Sequence, residues 1–482
     1  MSPAPADALG RWINIDGDGG IVRYVGPVDG SSGTWLGVEW TDMKRGKHNG
    51  SKDGKQYFRC KSRNAQCASF IRCVERIDWG QTLLEAAKSR YIVEIPEISA
   101  HLPQTIDGRR GKIEAVGFEK IAREQSDIST LEVLGLDSLR VYGIGADEVL
   151  PNVKTLLLSR NYLTRWRQVE DILVNLPNVD VLDISGNHFD SPMVFNGDLS
   201  VGTVRVDSSP GLTWFDVCGI ANCLHSRCLS FGWSELSILP VVLLDLLEDL
   251  SFEYNHISDI LPLANLPRLR SLNLRGNSEL TEIPEIQEHM FSCLESLNLG
   301  YTGISSWSSV NNLGTLPVLN TLYLGYTPVV SDDSVSRALV IGRLANISKL
   351  DGTVISPEER TEMERYYLVL SMDGSEFPRL PELIAKHGAP RKAKAIEAKI
   401  KSRLVSVTIQ VVRGSSVSET RKSLLKSMLV RQLKPIVMKL AGTREFQLYI
   451  DNDEQSVLLD CDTRSLDFYG VDNDKVIRAV IK

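Results

Sequence analysis

Apolar positions along this chain follow two periods. In the middle of the chain a strand-like triplet of apolar residues is closed, three places on, by a small polar residue. The pattern runs through Val153/Leu156/Leu158/Asn161 and Val179/Leu182/Ile184/Asn187, then more loosely through Val201/Val204/Val206/Ser209, Leu229/Phe231/Ser234 and Leu247/Leu250/Phe252/Asn255. It sharpens again at Leu269/Leu272/Leu274/Asn277, Leu294/Leu297/Leu299/Thr302 and Leu319/Leu322/Leu324/Thr327. Unit starts lie 22 to 26 residues apart, a period that predicts stacked repeats sharing one core, each with a short strand on the inner curve of a solenoid. The Asn, Ser or Thr is expected to hydrogen-bond the turn backbone. Trp166, Trp214 and Trp307 each follow that residue by five places and are read as core behind the turn. Tyr254, Tyr301 and Tyr326 each precede it by one. With Glu253, Asn273, Arg275, Asn298 and Tyr323 they are expected on the concave face, where aromatics among polar groups suit a protein contact; a tyrosine ladder packed on itself is the plainer alternative.

After the repeats the period shortens to two. Val405, Val407, Ile409 and Val411 alternate, as do Phe446, Leu448 and Ile450, and then Val476, Arg478 and Val480. Between them Leu424 to Leu440 supplies Leu425, Met428, Leu429, Leu433, Val437 and Leu440 for a helix interrupted near Pro435. One helix across a small mixed sheet is a β-grasp arrangement. Ahead of the repeats, Gly33 to Phe58 reads as three short strands, the third opening at Tyr57-Phe58. Leu83, Leu84, Ala87 and Tyr91 have helical spacing, before an extended connector marked by Pro96 and Pro103. A helical tract from Met363 to Leu370 suits the cap that an open solenoid end needs.

The expected organisation is therefore a small β-barrel domain over 1–78, a linker and repeat cap over 79–139, an α/β solenoid with its C-terminal cap over 140–370, a basic linker over 371–403 and a β-grasp domain over 404–482. A chain of 482 residues is too long for one ordinary core. Its formal net charge of -7 gives no general case for nucleic acid. The N-terminus has neither a basic region nor an apolar run, and the longest apolar stretch, Leu236 to Leu244, contains Pro240; no membrane segment is expected, and the compartment is the cytoplasm. Eight cysteines without a secretory signal are read as reduced thiols, and Cys218, Cys223 and Cys228 lack a CxxC pair. No metal or cofactor is expected. The chain contains no GxxxxGK[ST], HExxH or GxSxG, so it is not read as an enzyme. Asp16-Gly17-Asp18-Gly19 is read as a hairpin turn rather than a calcium loop.

Candidate chemistry concentrates in Gly33 to Phe58. From Lys44 to Arg63 the cations are Lys44, Arg45, Lys47, Lys52, Lys55, Arg59, Lys61 and Arg63, with Asp53 the only acid. A local basic face on an acidic chain suggests an acidic partner. Aromatic faces offer a shallow slot, Lys47 a point charge and Asn49 an amide for a carboxylate. Core aromatics and solvated lysines would explain the same composition.

Gly37, Trp40, the Gly46-Lys47-His48-Asn49-Gly50 run, Gly54, Tyr57, Phe58 and Phe70 together resemble a CAP-Gly domain. The resemblance implies binding of C-terminal acidic-aromatic tails such as that of α-tubulin. Trp35 and Phe70 would line the slot, Lys47, His48 and Asn49 would hold the carboxylates, and Trp40, Gly46, Gly50 and Phe58 would complete the motif. His48 and Asn49 replace the family's usual Asn and Asp. The repeats resemble leucine-rich repeats, and Ser465 to the end resembles the closing strand of ubiquitin-like domains, without a Gly-Gly tail. This order of domains resembles a family of tubulin-folding cofactors. It implies α-tubulin and other tubulin folding cofactors as partners, with assembly or dissociation of the αβ heterodimer as the task. The alternatives are a microtubule-associated adaptor, and a scaffold in which the terminal domain meets the proteasome or ubiquitin receptors.

Overall fold

The computed structural model describes residues 4–42, 44–62, 66–92, 128–145, 149–190, 193, 195, 197, 199–237, 244–287, 289–330, 335–371, 377–389, 404–414, 416–443, 445–452 and 455–481. The expected connector at Pro96 and Pro103, the basic run from Arg391 to Arg403, and Arg63 lie outside these residues. Two compact units divide the chain, Met1–Asn255 and His256–Lys482.

The first unit opens with a four-stranded antiparallel sheet of Trp12–Ile15, Asp18–Pro27, Thr34–Trp40 and Ala68–Arg72. Asp16 and Gly17 form its first turn, both at positive φ, and Gly17 N–H donates to the Asn14 side chain; the glycine-rich motif is a hairpin turn. Alternation along Thr34–Trp40 sends Leu36, Val38 and Trp40 into a core with Ile13, Ile15, Val22 and Ile77. Trp35, Gly37 and Glu39 fall on the other face, opposite Arg72, Phe70 and Ala68. Tyr57-Phe58 does not open a third strand. A two-residue ladder, Ser51–Lys52 with Lys55–Gln56, precedes it, and the amides of Tyr57 and Phe58 both donate to the Gly50 carbonyl, so a loop consumes the groups that a strand would have paired.

The Leu83–Tyr91 helix, in the stretch read as linker and repeat cap, closes the end of the solenoid. Thr82 and Glu85 cap it reciprocally. Leu83, Leu84, Ala86 and Ala87 are buried, and Gln81–Thr82 pairs with Val141–Gly143. Parallel strands then stack at Val133–Gly135, Thr155–Leu157, Val181–Asp183, Thr203–Arg205, Cys228–Ser230 and Asp249–Ser251. The sheet thus begins ahead of the expected start at 140. In register, Leu134, Leu156, Leu182, Val204, Leu229 and Leu250 form one buried row. Asn161, Asn187 and Asn255 are buried, and each accepts from and donates to backbone groups of neighbouring turns. Trp166 and Trp214 are buried at the first positions of Trp166–Asn175 and Trp214–Cys223.

This N-terminal sheet is fastened to the first repeats. Asp190 takes the guanidinium of Arg23 and the ammonium of Lys61, and Arg23 also pairs with Glu39 at 2.6 Å. Trp12 stacks on His188 with centroids 3.8 Å apart, the Arg11 guanidinium lies 3.5 Å above the Tyr142 ring, and the Thr164 hydroxyl donates to the Gly10 carbonyl.

In the second unit, parallel strands stack at Ser271–Asn273, Ser296–Asn298, Thr321–Tyr323 and Lys349–Leu350. Thr353–Val354 turns back antiparallel to end that stack. Trp307, at the start of Trp307–Leu313, is half-buried and carries the Arg343 guanidinium over its ring. The cap is the Pro357–Leu370 helix, and Leu380–His387 packs on it through Leu383, so part of the expected basic linker is ordered structure. Buried Glu364 accepts from Lys386 and His387 and faces Arg360 and Arg379. Burial raises its carboxyl pKa, but these hydrogen bonds and cations hold it below the usual carboxylate range.

The C-terminal sheet runs in the order Ser416–Leu425, Leu404–Arg413, Val476–Ile481, Phe446–Asn452, Gln455–Leu458, with Leu404–Arg413 parallel to Val476–Ile481. Val430–Ala441 crosses it, giving the β-grasp fold. Leu424 and Leu425 belong to the second strand and not to the helix, which starts at Val430 and continues through Pro435.

Burial pushes His188 down to about 4, below the ~6.5 of an exposed histidine. The unfolded chain therefore takes up the proton first. Stability held by the Trp12–His188 seam is full above about pH 6.5 and falls as pH drops toward about 4. Urea denaturation between pH 7.5 and 4.5 is expected to show this loss, and His188→Gln to flatten it.

Candidate functional site

The face left over from the N-terminal core carries the site. Tyr24, Tyr57, Phe58, Phe70 and the ring of His48 pack edge to face, with Tyr57 5.3 Å and Phe58 5.6 Å from Phe70. His48 lies 4.7 Å from Phe70. Tyr24 was not expected here. A bulge between Val22 and Tyr24 puts Val22 opposite Val38 and Tyr24 opposite Gly37, and this extra residue sends Tyr24 to the outer face. Strand alternation alone would have buried it with Val22.

The Lys47-His48-Asn49 segment is bolted to the sheet through one residue. Amides of Lys47 and His48 donate to the Ala68 carbonyl at 2.7 and 3.1 Å, and Ala68 N–H returns to the His48 carbonyl at 2.8 Å. Gly46 is required by close approach, since a Cβ there would lie 2.0 Å from the Gln66 carbonyl oxygen. Gly50 has φ +91°, and its Cβ would meet the Phe58 carbonyl oxygen at 2.2 Å.

The predicted residues divide by role. The Lys47 side chain is exposed and makes no hydrogen bond or ion pair among the described residues. His48 is not a second cation. Its Nδ1 accepts from Gly50 N–H at 3.0 Å, and burial lowers its pKa, so the neutral ring carries its proton on Nε2 and has that single donor to offer. Asn49 is exposed, with its Oδ1 accepting from the Ser51 hydroxyl; its amide NH2 is the group facing a ligand would use. Trp40 belongs to the core, 4% exposed, with its indole donating to Ser69. Trp35 lies on the slot's face of the sheet under the Arg72 guanidinium, 4.5 Å away, and its buried Nε1 has no hydrogen-bond partner among the described residues. Phe58 is a buried floor.

Much of the expected basic face is neutralised within the domain. Lys55 pairs with Asp29 and Lys52 donates to the Asp29 carbonyl, Arg45 pairs with Asp18, and Lys61 with Asp190. Lys44, Lys47 and Arg59 remain, exposed and with no side-chain hydrogen bond or ion pair among the described residues; of these, Lys47 sits in the segment pinned through Ala68. The structure also gathers Glu39, Cys60 and Cys67, whose ligand atoms lie within 4.8 Å of one another, a grouping that spacing did not suggest. Arg23 and the Ser62 amide already hold the Glu39 carboxylate, and burial pushes the Cys60 thiol up; both effects oppose cation binding.

On the repeats, the residue before each turn residue is held in the left-handed region. Tyr254, Tyr301 and Tyr326 have φ of 51°, 59° and 63°, and Trp233 has 56°. Trp233 precedes Ser234 of a loosely patterned repeat, the position that had singled out the tyrosines. In the first unit Trp233 stacks on Tyr254 at 4.2 Å, next to Glu253. In the second unit Tyr301 stacks on Tyr326 at 4.4 Å, and Arg275 lies 4.5 Å above Tyr301. Tyr326 and Trp233 remain 52% and 59% exposed, so the stacks leave aromatic surface open to a partner. Asn298 lies beside them on the Ser296–Asn298 strand, its Oδ1 taken by Gly300 N–H, and Tyr323 is half-buried on the next strand. Among the described residues no helix is long and apolar enough to cross a membrane.

The fold and site define a CAP-Gly protein with a leucine-rich-repeat solenoid and a terminal ubiquitin-like domain. The CAP-Gly domain family matches residues 9–75. Over 97% of both chains the protein is 30% identical to tubulin-specific chaperone E of Homo sapiens, and it is 30% identical to that of Danio rerio over 98% of both. The chain belongs to the tubulin-specific chaperone E family. Among solved structures it is similar to the C-terminal ubiquitin-like domain of mouse tubulin-specific chaperone e, with 20% identity over 17% of this chain and 89% of that one and a TM-score of 0.15. It is also similar to internalin C2 of Listeria monocytogenes, with 22% identity over 48% and 81% and a TM-score of 0.27. At these scores the fold rests on the strand orders described above.

Lys47→Ala is expected to weaken binding of an acidic peptide ending in an aromatic residue on the order of tenfold, as for loss of one charged hydrogen bond, with the melting temperature unchanged. Gly46→Ala should lower both, because its Cβ has no room. Peptide titration by fluorescence anisotropy alongside calorimetry separates the two outcomes.

Proposed function

We propose that this protein is a tubulin-folding cofactor that captures α-tubulin by its acidic-aromatic C-terminal tail and, with other tubulin folding cofactors, assembles or dissociates the αβ heterodimer. The observation that carries this reading is the exposed Lys47, pinned through Ala68 beside the Tyr24–Tyr57–Phe70 group. A cation next to an open aromatic surface suits a carboxylate followed by an aromatic ring. Membership of the tubulin-specific chaperone E family supports the same partner. A second tubulin contact on the repeats, through Tyr254 with Glu253 and through Tyr301, Tyr323 and Tyr326 with Arg275 and Asn298, raises affinity by effective concentration without a tight tail slot. Separating a dimer requires tighter binding to one subunit's freed state than to the intact pair.

The test is the mass distribution of purified αβ-tubulin mixed with the protein at low salt, without polymer-forming conditions. A complex with α-tubulin alone, weakened by Lys47→Ala plus Trp35→Ala, is the expected result. An intact dimer bound as a unit, or binding only to polymer, would instead favour the adaptor. Tyr301→Ala plus Tyr326→Ala is expected to lower tubulin capture several-fold at unchanged melting temperature; unaltered capture removes the second contact.

A further inference from the structure

Within the second unit, two cations of the ubiquitin-like domain stand over the tyrosines of the repeats. Lys422, on the Ser416–Leu425 strand, has its ammonium 5.8 Å from the Tyr326 ring. Lys439, on the Val430–Ala441 helix, lies 5.8 Å from the Tyr323 ring and donates to the Asp351 carbonyl at 3.5 Å. These lysines come from two separate elements of the β-grasp fold, and their target rings from positions three residues apart in one repeat. The domain therefore meets the tyrosine face as a body.

The meeting is loose. Between the two surfaces lies a solvent-open cleft of about 1110 Å³, with Val340, Leu350 and Glu362 on the repeat side and Met428, Ile436 and Arg431 on the other. Protein interiors that stay closed are packed without such voids. The contacts at the rim include two cation–π pairs at long range and the long Lys439–Asp351 hydrogen bond, of a kind that is weak where solvent reaches it. Tyr326 is still half open to solvent. Tethering through the chain between His387 and Leu404 supplies the local concentration that lets so weak a contact form.

We infer that the ubiquitin-like domain is a removable cover of the Tyr301–Tyr323–Tyr326 surface, so that a partner using this surface has to displace residues 404–482. This rests on the reading of the concave face as a partner contact. It assigns the domain a role that needs no outside receptor: it competes for the same tyrosines. Lys422 and Lys439 are its holding points, and the cleft is the space that opens when it swings away.

Hydroxyl-radical footprinting of the full chain, read by mass spectrometry at Tyr323 and Tyr326, tests the cover directly. Lys422→Glu plus Lys439→Glu should raise oxidation of both tyrosines several-fold, while Lys422→Arg plus Lys439→Arg keeps the original rate, with equal melting temperatures. Equal oxidation in all three proteins would overturn the inference. Capture of αβ-tubulin by the same variants separates the two readings. Greater oxidation with greater capture supports the cover on a tubulin-binding face. Greater oxidation with unchanged capture supports the cover and removes tubulin as the partner of that face.

Discussion

Every repeat has to reverse its chain directly after a three-residue strand, inside a stack where water cannot reach the turn. That constraint organises the solenoid in both units. Asn161, Asn187, Asn255 and Asn277, or the shorter Thr302 and Thr327, spend their side chains on the buried turn backbone, because an unpaired amide or carbonyl there would cost more than a side chain's entropy. Reversal also demands a left-handed residue one place earlier. Gly186 and Gly276 meet that demand cheaply, whereas Trp233, Tyr254, Tyr301 and Tyr326 meet it with strain. Stacking offsets part of that strain, and the geometry that causes it also lifts the rings to the rim. The same rule of chain reversal thus makes both the fold and its aromatic surface.

In the N-terminal domain the equivalent constraint is the two-residue period of the sheet. Leu36, Val38 and Trp40 fill the core, so Trp35, Gly37 and Phe70 must lie outside. The slot is the remainder of the core's requirement. Its charge is set by what the rest of the domain leaves over: Asp18, Asp29 and Asp190 draw off Arg45, Lys55 and Lys61, and Lys44, Lys47 and Arg59 are left to face solvent. Fastening through Asp190 and His188 fixes this slot to the first repeats.

Repeats, the β-grasp pattern and the glycine-lysine segment were legible because each is written in local spacing. Where reading failed, a non-local partner intervened. Leu424 and Leu425 have helical spacing with Met428 and Leu429 but pair with Val405 and Leu404. Tyr24 follows the parity of Val22 until the bulge reverses it.

By itself the sequence determined the classes of fold, the repeat period, the turn residues and the aromatic position before several of them, since periods of two residues and of 22 to 26 residues are properties of the chain alone. Tertiary structure alone decided which cations are spent internally, which face Trp40 and Tyr24 occupy, that His188 is held neutral under Trp12, and that Lys422 and Lys439 stand over the tyrosines. The physical reason is the same in each case. Burial and charge depend on what lies opposite in space, and residues far apart in the chain supply it.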